Sequence, residues 1–328
     1  MAHNLMEDVL LDVKNLTKYY PLKGNLFGKS KEAIKAVDGV SFQVKKGETF
    51  SIVGESGCGK STTGMSLLRL IEPTSGEVVF DHKNVLDMKK KEMLNYRKNI
   101  QVIFQDPYSS LNPKHTIKKI LSEPFVINQN LSKAELDEKV ISLLRLVGLD
   151  HHHLNRYPHE FSGGQRQRIG IARALALEPQ IIVCDEPVSA LDVSIQSQIL
   201  NLLQSLQQKL GLTLIFISHD LSVVEHISKR IAVMYLGKIV EMGTREEIFN
   251  NPQHPYTKAL LSSVPIADPK LKKLKQRVNI EGDIPSPKNP PKGCAFYSRC
   301  PVKMDKCNEI IPEIKDISPD HQASCHLI

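Results

Sequence analysis

The stretch Gly54-Glu55-Ser56-Gly57-Cys58-Gly59-Lys60-Ser61 follows the pattern G-x4-G-K-[ST], and it decides the fold of this chain. Glycines at these positions let the backbone wrap around a phosphate chain, so that several N–H groups point inward. Lys60 is expected to reach the terminal phosphates, and the Ser61 hydroxyl is expected to bind Mg²⁺. A chain of average composition and this length contains the pattern by chance in about 1% of cases. The sequence therefore predicts a site for a nucleoside triphosphate.

The segments on either side of this loop place it between a strand and a helix. Phe50–Val53 is a short apolar run that predicts a strand, and Lys60–Ile71 predicts a helix that ends before Pro73. The positive end of the helix dipole would favour bound phosphates. The residues predicted to contact the nucleotide are Gly54, Glu55, Ser56, Gly57, Cys58, Gly59, Lys60, Ser61 and Thr62.

A second apolar run, Ile181–Cys184, ends in the acidic pair Asp185 and Glu186. In a phosphate-loop site a carboxylate at the end of a strand helps to hold Mg²⁺, which is the role predicted for Asp185. Glu186 is predicted to polarise the attacking water as general base. An apolar run before Asp-Glu is common by itself, so this reading depends on the phosphate loop upstream.

A Ser-Gly-Gly turn lies shortly before the acidic pair, in the stretch Phe161-Ser162-Gly163-Gly164-Gln165-Arg166-Gln167-Arg168. Such a turn at the start of a helix is a second anion-binding arrangement. The simpler alternative is an ordinary helix N-cap, a role that Ser162 would also serve. The stretch resembles the signature sequence of ABC ATPases, with Phe161 where Leu is more usual.

Other positions match the ABC family in the same order along the chain. Gln105 matches the Q-loop glutamine that senses Mg²⁺ and the attacking water, and Ser189-Ala190-Leu191-Asp192 matches the D-loop. His219 matches the switch histidine that contacts the γ-phosphate. Tyr20 is the better candidate for the aromatic residue that stacks on adenine, with Tyr19 as the alternative.

The resemblance implies an α/β fold: a P-loop NTPase (RecA-like) core with an antiparallel β subdomain, an inserted α-helical subdomain and a small Cys-containing C-terminal extension. It places the ATPase domain at 9–265, with the helical subdomain at about 106–172, and the extension at 266–328. In this family one subunit's phosphate loop faces another subunit's signature. The resemblance therefore implies roles for three groups of residues: contact with the partner's ATP by Ser162, Gly163, Gly164 and Gln165; Mg²⁺ binding by Ser61, Gln105 and Asp185; catalysis by Glu186, His219 and Gln105.

Three further stretches resemble the ATPases of oligopeptide and dipeptide permeases, of the type called the F subunit. They are Phe104–Pro113, Asn251–Thr257, and Pro290–Phe296 with Arg299-Cys300-Pro301 after it. The implied function is the ATP-hydrolysing subunit of a bacterial ABC importer for di- or oligopeptides. The implied partners are a second homologous ATPase subunit in a heterodimer, two transmembrane permease subunits and an extracytoplasmic peptide-binding protein, with no nucleic acid. The alternatives are an importer of nickel or another small solute, a non-transport ABC ATPase, and a nucleic-acid-binding iron–sulfur module.

Four of the six cysteines lie in the last 35 residues, with gaps of five, six and seventeen residues between them: Cys294, Cys300, Cys307 and Cys325. In a reducing compartment such a group indicates a metal before disulfides. In several relatives that the chain resembles, four such cysteines hold a [4Fe–4S] cluster, and thiolate ligation suits it. Zn²⁺ is the rival, although the first two gaps are wider than in a C-x2-4-C knuckle. A group without any metal is the third alternative. His151–His153 is predicted to be a solvated turn.

The overall composition is ordinary for a soluble globular protein of about two domains, with 41% hydrophobic and 24% charged residues among 328. No apolar run approaches the ~20 residues that cross a bilayer. Residues Met1 to Asp8 lack the basic and apolar regions of a signal peptide. The expected location is the cytoplasmic face of the cell membrane, as a peripheral protein. The net charge of +7 is scattered without aromatic residues between the basic ones, so it specifies no partner.

Strand and helix patterns alternate along the rest of the chain, which is typical of a parallel sheet covered by helices. A polar, Lys-rich insertion between Tyr20 and Ala36 predicts an exposed loop. Ser132–Leu149 predicts an amphipathic helix with Ser132 as its N-cap. The other predicted elements are strands at Leu10–Val13, Val40–Val44, Val78–Phe80, Ile100–Phe104 and Thr213–Ile217, and helices at Ile195–Leu210 and Leu221–His226.

Overall fold

The computed structural model describes residues 9–22, 33–264 and 280–328, and the chain folds into two compact units. One unit is formed by Met1–Asp87 with Ile217–Ile328, and the other by Met88–Phe216. The strands are β1 (Val9–Pro21), β2 (Ala33–Lys45), β3 (Thr49–Val53), β4 (Ser75–Phe80), β5 (Lys83–Asn84), β6 (Ile100–Ile103), β7 (Ile181–Asp185), β8 (Thr213–Ser218), β9 (Arg230–Tyr235), β10 (Lys238–Thr244), β11 (Lys315–Ser318) and β12 (His321–Ala323). The helices are α1 (Lys60–Leu67), α2 (Lys90–Asn99), α3 (Ile117–Asn128), α4 (Lys133–Leu146), α5 (Gly163–Leu175), α6 (Val193–Leu210), α7 (Leu221–Ile227), α8 (Arg245–Asn250), α9 (Pro255–Ser263) and α10 (Lys306–Glu309).

The first unit contains the expected antiparallel β subdomain, a sheet with the strand order β2-β1-β4-β5. The loop predicted between Tyr20 and Ala36 is wrong at both of its ends. Tyr20 lies opposite Ile34, and Pro21 lies opposite Ala33, so β1 and β2 extend into that segment. Pairing across two strands overrides the polar composition there, because each strand supplies the other's hydrogen bonds. Residues 23–32 lie outside the described residues.

A second sheet of the first unit has the strand order β11-β12-β10-β9-β3. β3 and β9 run parallel with Phe50 opposite Arg230, whereas the pairs from β9 to β11 are antiparallel. All five residues of β3 are buried, as the apolar run Phe50–Val53 predicts. β3 therefore forms part of the core, and the phosphate loop follows directly from its end.

Helix α1 ends at Leu67, four residues before the predicted end, so that prediction is wrong. Arg69 adopts a left-handed backbone conformation, with φ of +47°. Its guanidinium donates to Glu72 at 2.8 Å and to the Val85 carbonyl at 3.1 Å, which holds the turn. The chain has thus left the helix well before Pro73.

The second unit combines helices with the strand pair β6 and β7, which run parallel with Ile100 opposite Ile181. Helix α4 begins after Ser132, as predicted. The Ser132 hydroxyl accepts from the Glu135 N–H, and the Glu135 carboxylate accepts from the Ser132 N–H at 2.7 Å. Each side chain satisfies a backbone donor that the first turn of a helix leaves open. In the part of the chain that the structure describes, no helix is long and apolar enough to span a bilayer.

Residues 280–328, the described part of the C-terminal extension, belong to the first unit. β12 pairs with β10, with Ala323 opposite Glu241. His321 Nε2 lies 2.8 Å from Glu241 Oε1, and both side chains are buried. Removing one member of a buried pair leaves the other without compensation, so this contact ties the extension firmly to β10. The predicted domain boundary at 265/266 lies outside the described residues and stays a prediction.

Candidate nucleotide-binding site

The phosphate loop occupies the turn between β3 and α1 in the first unit, and two of its glycines are required because a side chain would have no space there. At Gly54 (φ +153°) a Cβ atom would lie 2.1 Å from the Met234 carbonyl oxygen. At Gly59 (φ +106°) it would lie 2.1 Å from the Ala36 carbonyl oxygen. Any side chain at either position would displace backbone, so the loop keeps its course only with glycine there.

Lys60 lies inside the loop that precedes it. Its side chain is 4% exposed, and Nζ donates to the carbonyl oxygens of Gly54 at 2.8 Å and Glu55 at 3.0 Å. The ammonium therefore lies where a phosphate chain wrapped by the loop would meet it. The neighbouring Cys58 is buried, and burial raises the pKa of its thiol, so Cys58 is a neutral packing group. Ser61 is exposed at the second position of α1.

The two tyrosines proposed for adenine stacking have different environments in β1. The Tyr19 hydroxyl donates to the Asp38 carboxylate, and burial followed by this contact raises the pKa of Tyr19 to about 12. Tyr20 is 37% exposed. An anchored phenol cannot swing toward a ligand without losing its hydrogen bond, so the geometry favours Tyr20 over Tyr19. The stacking role of Tyr20 stays a prediction.

In the second unit, the structure brings together Gln105, Glu186 and Ser189. Gln105 Nε2 donates to Glu186 Oε2 at 3.0 Å, and Ser189 Oγ donates to the Glu186 carbonyl at 3.1 Å. Asp185 is the last residue of β7 and is buried. Glu186 follows with a positive φ of 46°, a conformation that non-glycine residues adopt rarely and that clusters at functional sites. The arrangement presents two adjacent carboxylates at the end of a buried strand.

The Ser-Gly-Gly turn of the second unit has clear structural roles. The Ser162 hydroxyl accepts from the Gln165 N–H at 3.3 Å, so Ser162 does cap α5. At Gly164 a Cβ atom would lie 2.5 Å from Ile195 Cγ2 of α6. α6 begins directly after the D-loop residue Asp192. Packing therefore explains Ser162 and Gly164 in part, and contact with a partner's ATP stays a prediction.

His219 follows directly after β8 and is exposed. The next residue, Asp220, caps α7 by accepting from the Ser222 N–H at 2.8 Å. The short connection leaves the imidazole at the end of a buried strand, where a ligand can reach it. Its role as a switch histidine stays a prediction.

The four C-terminal cysteines are free thiols, of which Cys307 and Cys325 are buried. Burial, with a smaller contribution from the charges of the other three cysteines, raises the pKa of Cys294 to about 11. The Cys294 N–H donates to the Cys307 carbonyl at 2.8 Å. In the part of the chain that the structure describes, no three of these sulfurs lie within 4.8 Å of one another; the exposed group Asp150, His151 and His152 does meet that limit. Four thiolates on one zinc at Zn–S distances of about 2.3 Å would lie about 3.8 Å apart, closer together than any three of these sulfurs lie. Which metal group these cysteines hold stays a prediction.

Two further residues contact the phosphate loop, and sequence reasoning missed this role. The Arg299 guanidinium donates to the Glu55 carboxylate at 2.6 and 3.0 Å, and the Tyr256 hydroxyl accepts from the Glu55 N–H at 2.9 Å. Both residues stand in stretches that mark the peptide permease branch. Nothing local in the sequence pairs them with a residue 201 or 244 positions away.

Comparison with known proteins supports these observations along nearly the whole chain. The family model for ABC transporters matches residues 37–189, and the model for the C-terminal region of oligopeptide/dipeptide transporters matches residues 240–307. The oligopeptide transport ATP-binding protein AppF of Bacillus subtilis is 52% identical over 322 residues, which cover 98% of both chains. The dipeptide transport ATP-binding protein DppF of Haemophilus influenzae is 52% identical over 326 residues, 99% of both chains.

Solved structures show the same fold in the cassette part. A dimeric, post-hydrolysis structure of the ATP-binding cassette MJ0796 with ADP and Pi is 32% identical, with a TM-score of 0.64, and the match covers 72% of this chain and 98% of that one. The structure of cbiO1 from Clostridium perfringens, part of the transporter complex cbiONQ, is 30% identical with the same TM-score. The match covers 74% of this chain and 92% of that one. The fold predicted from the phosphate loop and the signature is therefore confirmed.

Proposed function

This chain belongs to the ABC transporter family, in its oligopeptide and dipeptide branch, and we propose that it hydrolyses ATP to energise peptide uptake. The observation that carries the proposal is the match to peptide transport ATP-binding proteins along almost the full length, including the C-terminal region at 240–307. A cassette likeness alone would fit many solutes. The C-terminal match favours peptides as the solute, because the matching model describes the C-terminal region of oligopeptide/dipeptide transporters.

The catalytic proposal follows from the residues in each unit. The loop N–H groups and Lys60 bind the triphosphate of ATP. Glu186 accepts the proton of the water that attacks the γ-phosphorus, and ADP leaves as the bond to the bridging oxygen breaks. Gln105 donates to the Glu186 carboxylate and so holds this base in place.

Magnesium suits the oxygen groups present: the exposed Ser61 hydroxyl, the Asp185 carboxylate and the Gln105 amide oxygen. When bound, Mg²⁺ neutralises charge on the β- and γ-phosphates. Asp185 supplies the negative charge that such an ion needs, and its place at the end of β7 fixes it in position.

The proposed assembly contains a second homologous ATPase subunit, two transmembrane permease subunits and an extracytoplasmic peptide-binding protein. Ser162–Gln165 of this chain would face the ATP held by the second subunit. The dimeric form of the MJ0796 cassette supports such a pairing. The chain would then lie at the cytoplasmic face of the membrane, attached through the permease subunits.

The function is tested by reconstituting this chain with the permease, ATPase and binding-protein subunits encoded with it, in vesicles loaded with ATP. We expect labelled di- or oligopeptides to accumulate only when ATP and Mg²⁺ are both present. The same vesicles are given labelled Ni²⁺ and other small solutes in parallel. Accumulation of nickel without peptide would replace the proposed solute, and ATP hydrolysis without any uptake would remove the transport role.

We propose further that Cys294, Cys300, Cys307 and Cys325 hold a [4Fe–4S] cluster. Four thiolates are its usual ligands, and a cluster of four irons needs sulfurs that are farther apart than zinc does. The proposal is supported by the residue type and number, four cysteines within the last 35 residues. The cluster would act as the staple of a segment with few apolar residues.

Anaerobically purified protein is expected to contain about four irons and four sulfides per chain and to absorb visible light. Cys300→Ser should lower both contents strongly. Cys184→Ala is the matched control, since Cys184 is buried in β7 and belongs to the other unit. Stoichiometric zinc, or full iron content in the Cys300→Ser protein, would contradict the assignment.

A further inference from the structure

Glu55, the second residue of the phosphate loop, is held by the C-terminal extension through its side chain. Arg299 donates through Nη1 to Oε2 at 2.6 Å and through Nη2 to Oε1 at 3.0 Å. The Arg299 side chain is 8% exposed and that of Glu55 is 27% exposed, so water screens the pair little. A guanidinium and a carboxylate joined by two parallel hydrogen bonds fix each other's orientation as well as position.

Arg299 is itself held in place. Its Nε donates to the Gly282 carbonyl at 3.1 Å, and Nη1 lies 3.5 Å from the Tyr235 hydroxyl. The guanidinium also lies over the Tyr235 ring, 5.9 Å from its centroid. Hydrogen bonding to Glu55 raises the pKa of Arg299 above its usual value, so the charge is permanent. The C-terminal extension thus holds the positively charged guanidinium of Arg299 in a fixed orientation beside the phosphate loop.

Tyr256, in α9, holds the backbone of the same residue. Its ring is fully buried and packs edge-on against Tyr235, with 4.7 Å between centroids, and against Phe296 at 5.4 Å. Its hydroxyl accepts from the Glu55 N–H at 2.9 Å. The Glu55 N–H therefore points away from the interior of the loop.

The two sides of one peptide group connect Tyr256 to Lys60. In a planar trans peptide the N–H and the preceding C=O point in opposite directions. Because Tyr256 takes the Glu55 N–H, the Gly54 carbonyl must point to the opposite side, and there it accepts from Lys60 Nζ at 2.8 Å. The Glu55 carbonyl accepts from the same ammonium at 3.0 Å. The orientation of residue 55 thus determines where the ammonium lies.

We propose that Arg299 and Tyr256 are positioning residues for Lys60, and that the C-terminal region sets the shape of the phosphate loop before ATP arrives. Neither residue needs to contact ATP. Pre-ordering a binding loop raises affinity because less freedom is lost on binding. The inference rests on the proposed ATP site, and it adds that this site is incomplete without residues 256 and 299.

The test measures ATP binding and steady-state hydrolysis in the full-length chain assembled with its transporter partners. Arg299→Met is expected to raise the Kd and KM for ATP about tenfold, because charged hydrogen bonds contribute on that scale, with kcat within about twofold of wild type. Tyr256→Phe, which keeps the packed ring and loses only the hydroxyl, is expected to raise the Kd about fivefold. Arg299→Lys keeps the positive charge but lacks the two parallel N–H donors, so its affinity for ATP should lie between that of Arg299→Met and that of wild type.

Lys292→Gln is the matched control, since it removes one positive charge from the same extension at an exposed position. It should bind ATP as wild type does. Glu55→Gln combined with Arg299→Met should bind no worse than the weaker single variant, because both changes break one contact.

Unchanged ATP affinity in both Arg299→Met and Tyr256→Phe would overturn the inference while leaving the ATPase intact. Fully additive losses in the Glu55→Gln, Arg299→Met double variant would also contradict it. A fall in kcat and unfolding temperature without a change in Kd would mean that the two residues only support the fold. Failure of the wild-type assembly to bind ATP would instead remove the proposed function itself.

Discussion

Glu186→Gln is expected to stop ATP turnover while ATP stays bound. Glutamine has the size of glutamate but cannot accept the proton of the attacking water, and loss of a general base lowers rates by about 10² to 10⁴-fold. Binding should persist because the phosphate loop and Lys60 are unchanged. The measurements are kcat for ATP hydrolysis in the assembled transporter and the amount of ATP that remains bound after gel filtration.

Glu178→Gln is the matched control for that experiment. Glu178 is an exposed glutamate shortly before β7 in the same unit, so the chemical change is identical while the base is retained. Its kcat should equal that of wild type. Normal hydrolysis by the Glu186→Gln protein would remove Glu186 from the role of base.

Lys60→Ala is expected to lose nucleotide binding. The ammonium is buried and bound to two loop carbonyls, so its removal takes away the charge that meets the phosphates together with two hydrogen bonds inside the loop. Charged hydrogen bonds of this kind together justify a fall in ATP affinity on the order of 100-fold. Isothermal titration with Mg-ATP measures the loss directly, and the unfolding temperature shows whether the fold is retained.

Two further variants are compared with Lys60→Ala in the same experiment. Lys60→Arg keeps the charge but puts a larger, planar guanidinium at a position that is 4% exposed, so weak binding is expected there too. Lys46→Ala removes an exposed lysine of the same unit and should bind ATP normally. ATP affinity equal to wild type in the Lys60→Ala protein would contradict the whole account of the site.

The features that the sequence predicts well are those decided by neighbours along the chain. The strand before the phosphate loop is a continuous apolar run, and β3 is buried at every position. The start of α4 depends on a serine and a glutamate three residues apart, and both make the expected contacts. Motifs of this kind carry their physical cause within a few residues.

Strand pairing between distant segments could not be predicted from neighbouring residues alone. Tyr20 and Ile34 belong to strands because each lies opposite the other, and neither segment has a clear strand pattern. The choice between Tyr19 and Tyr20 likewise needs Asp38, whose carboxylate accepts from the hydroxyl of Tyr19. Successive side chains alternate between the faces of a strand, so the sequence shows that the two tyrosines differ but not which one is anchored.

The candidate site shows the same division. The residue types of the phosphate loop and the acidic pair are readable, because their chemistry requires those groups at that spacing. The contact of Glu55 with Arg299 joins residues 244 positions apart, and it exists only after the sheet has formed. The distances between the cysteine sulfurs are equally invisible in their sequence gaps.

The contact between Arg299 and Glu55 also has a consequence for synthesis of the chain, because Arg299 is added long after Glu55. Synthesis runs from the N-terminus at about 5–20 residues per second, so Arg299 is added roughly 12 to 50 seconds after Glu55, which lies 244 positions earlier. The phosphate loop is therefore synthesised before Arg299 can contact it, and a chain that terminates before residue 299 never forms this contact. Under this proposal the loop reaches its ordered form only after residue 299 has been added.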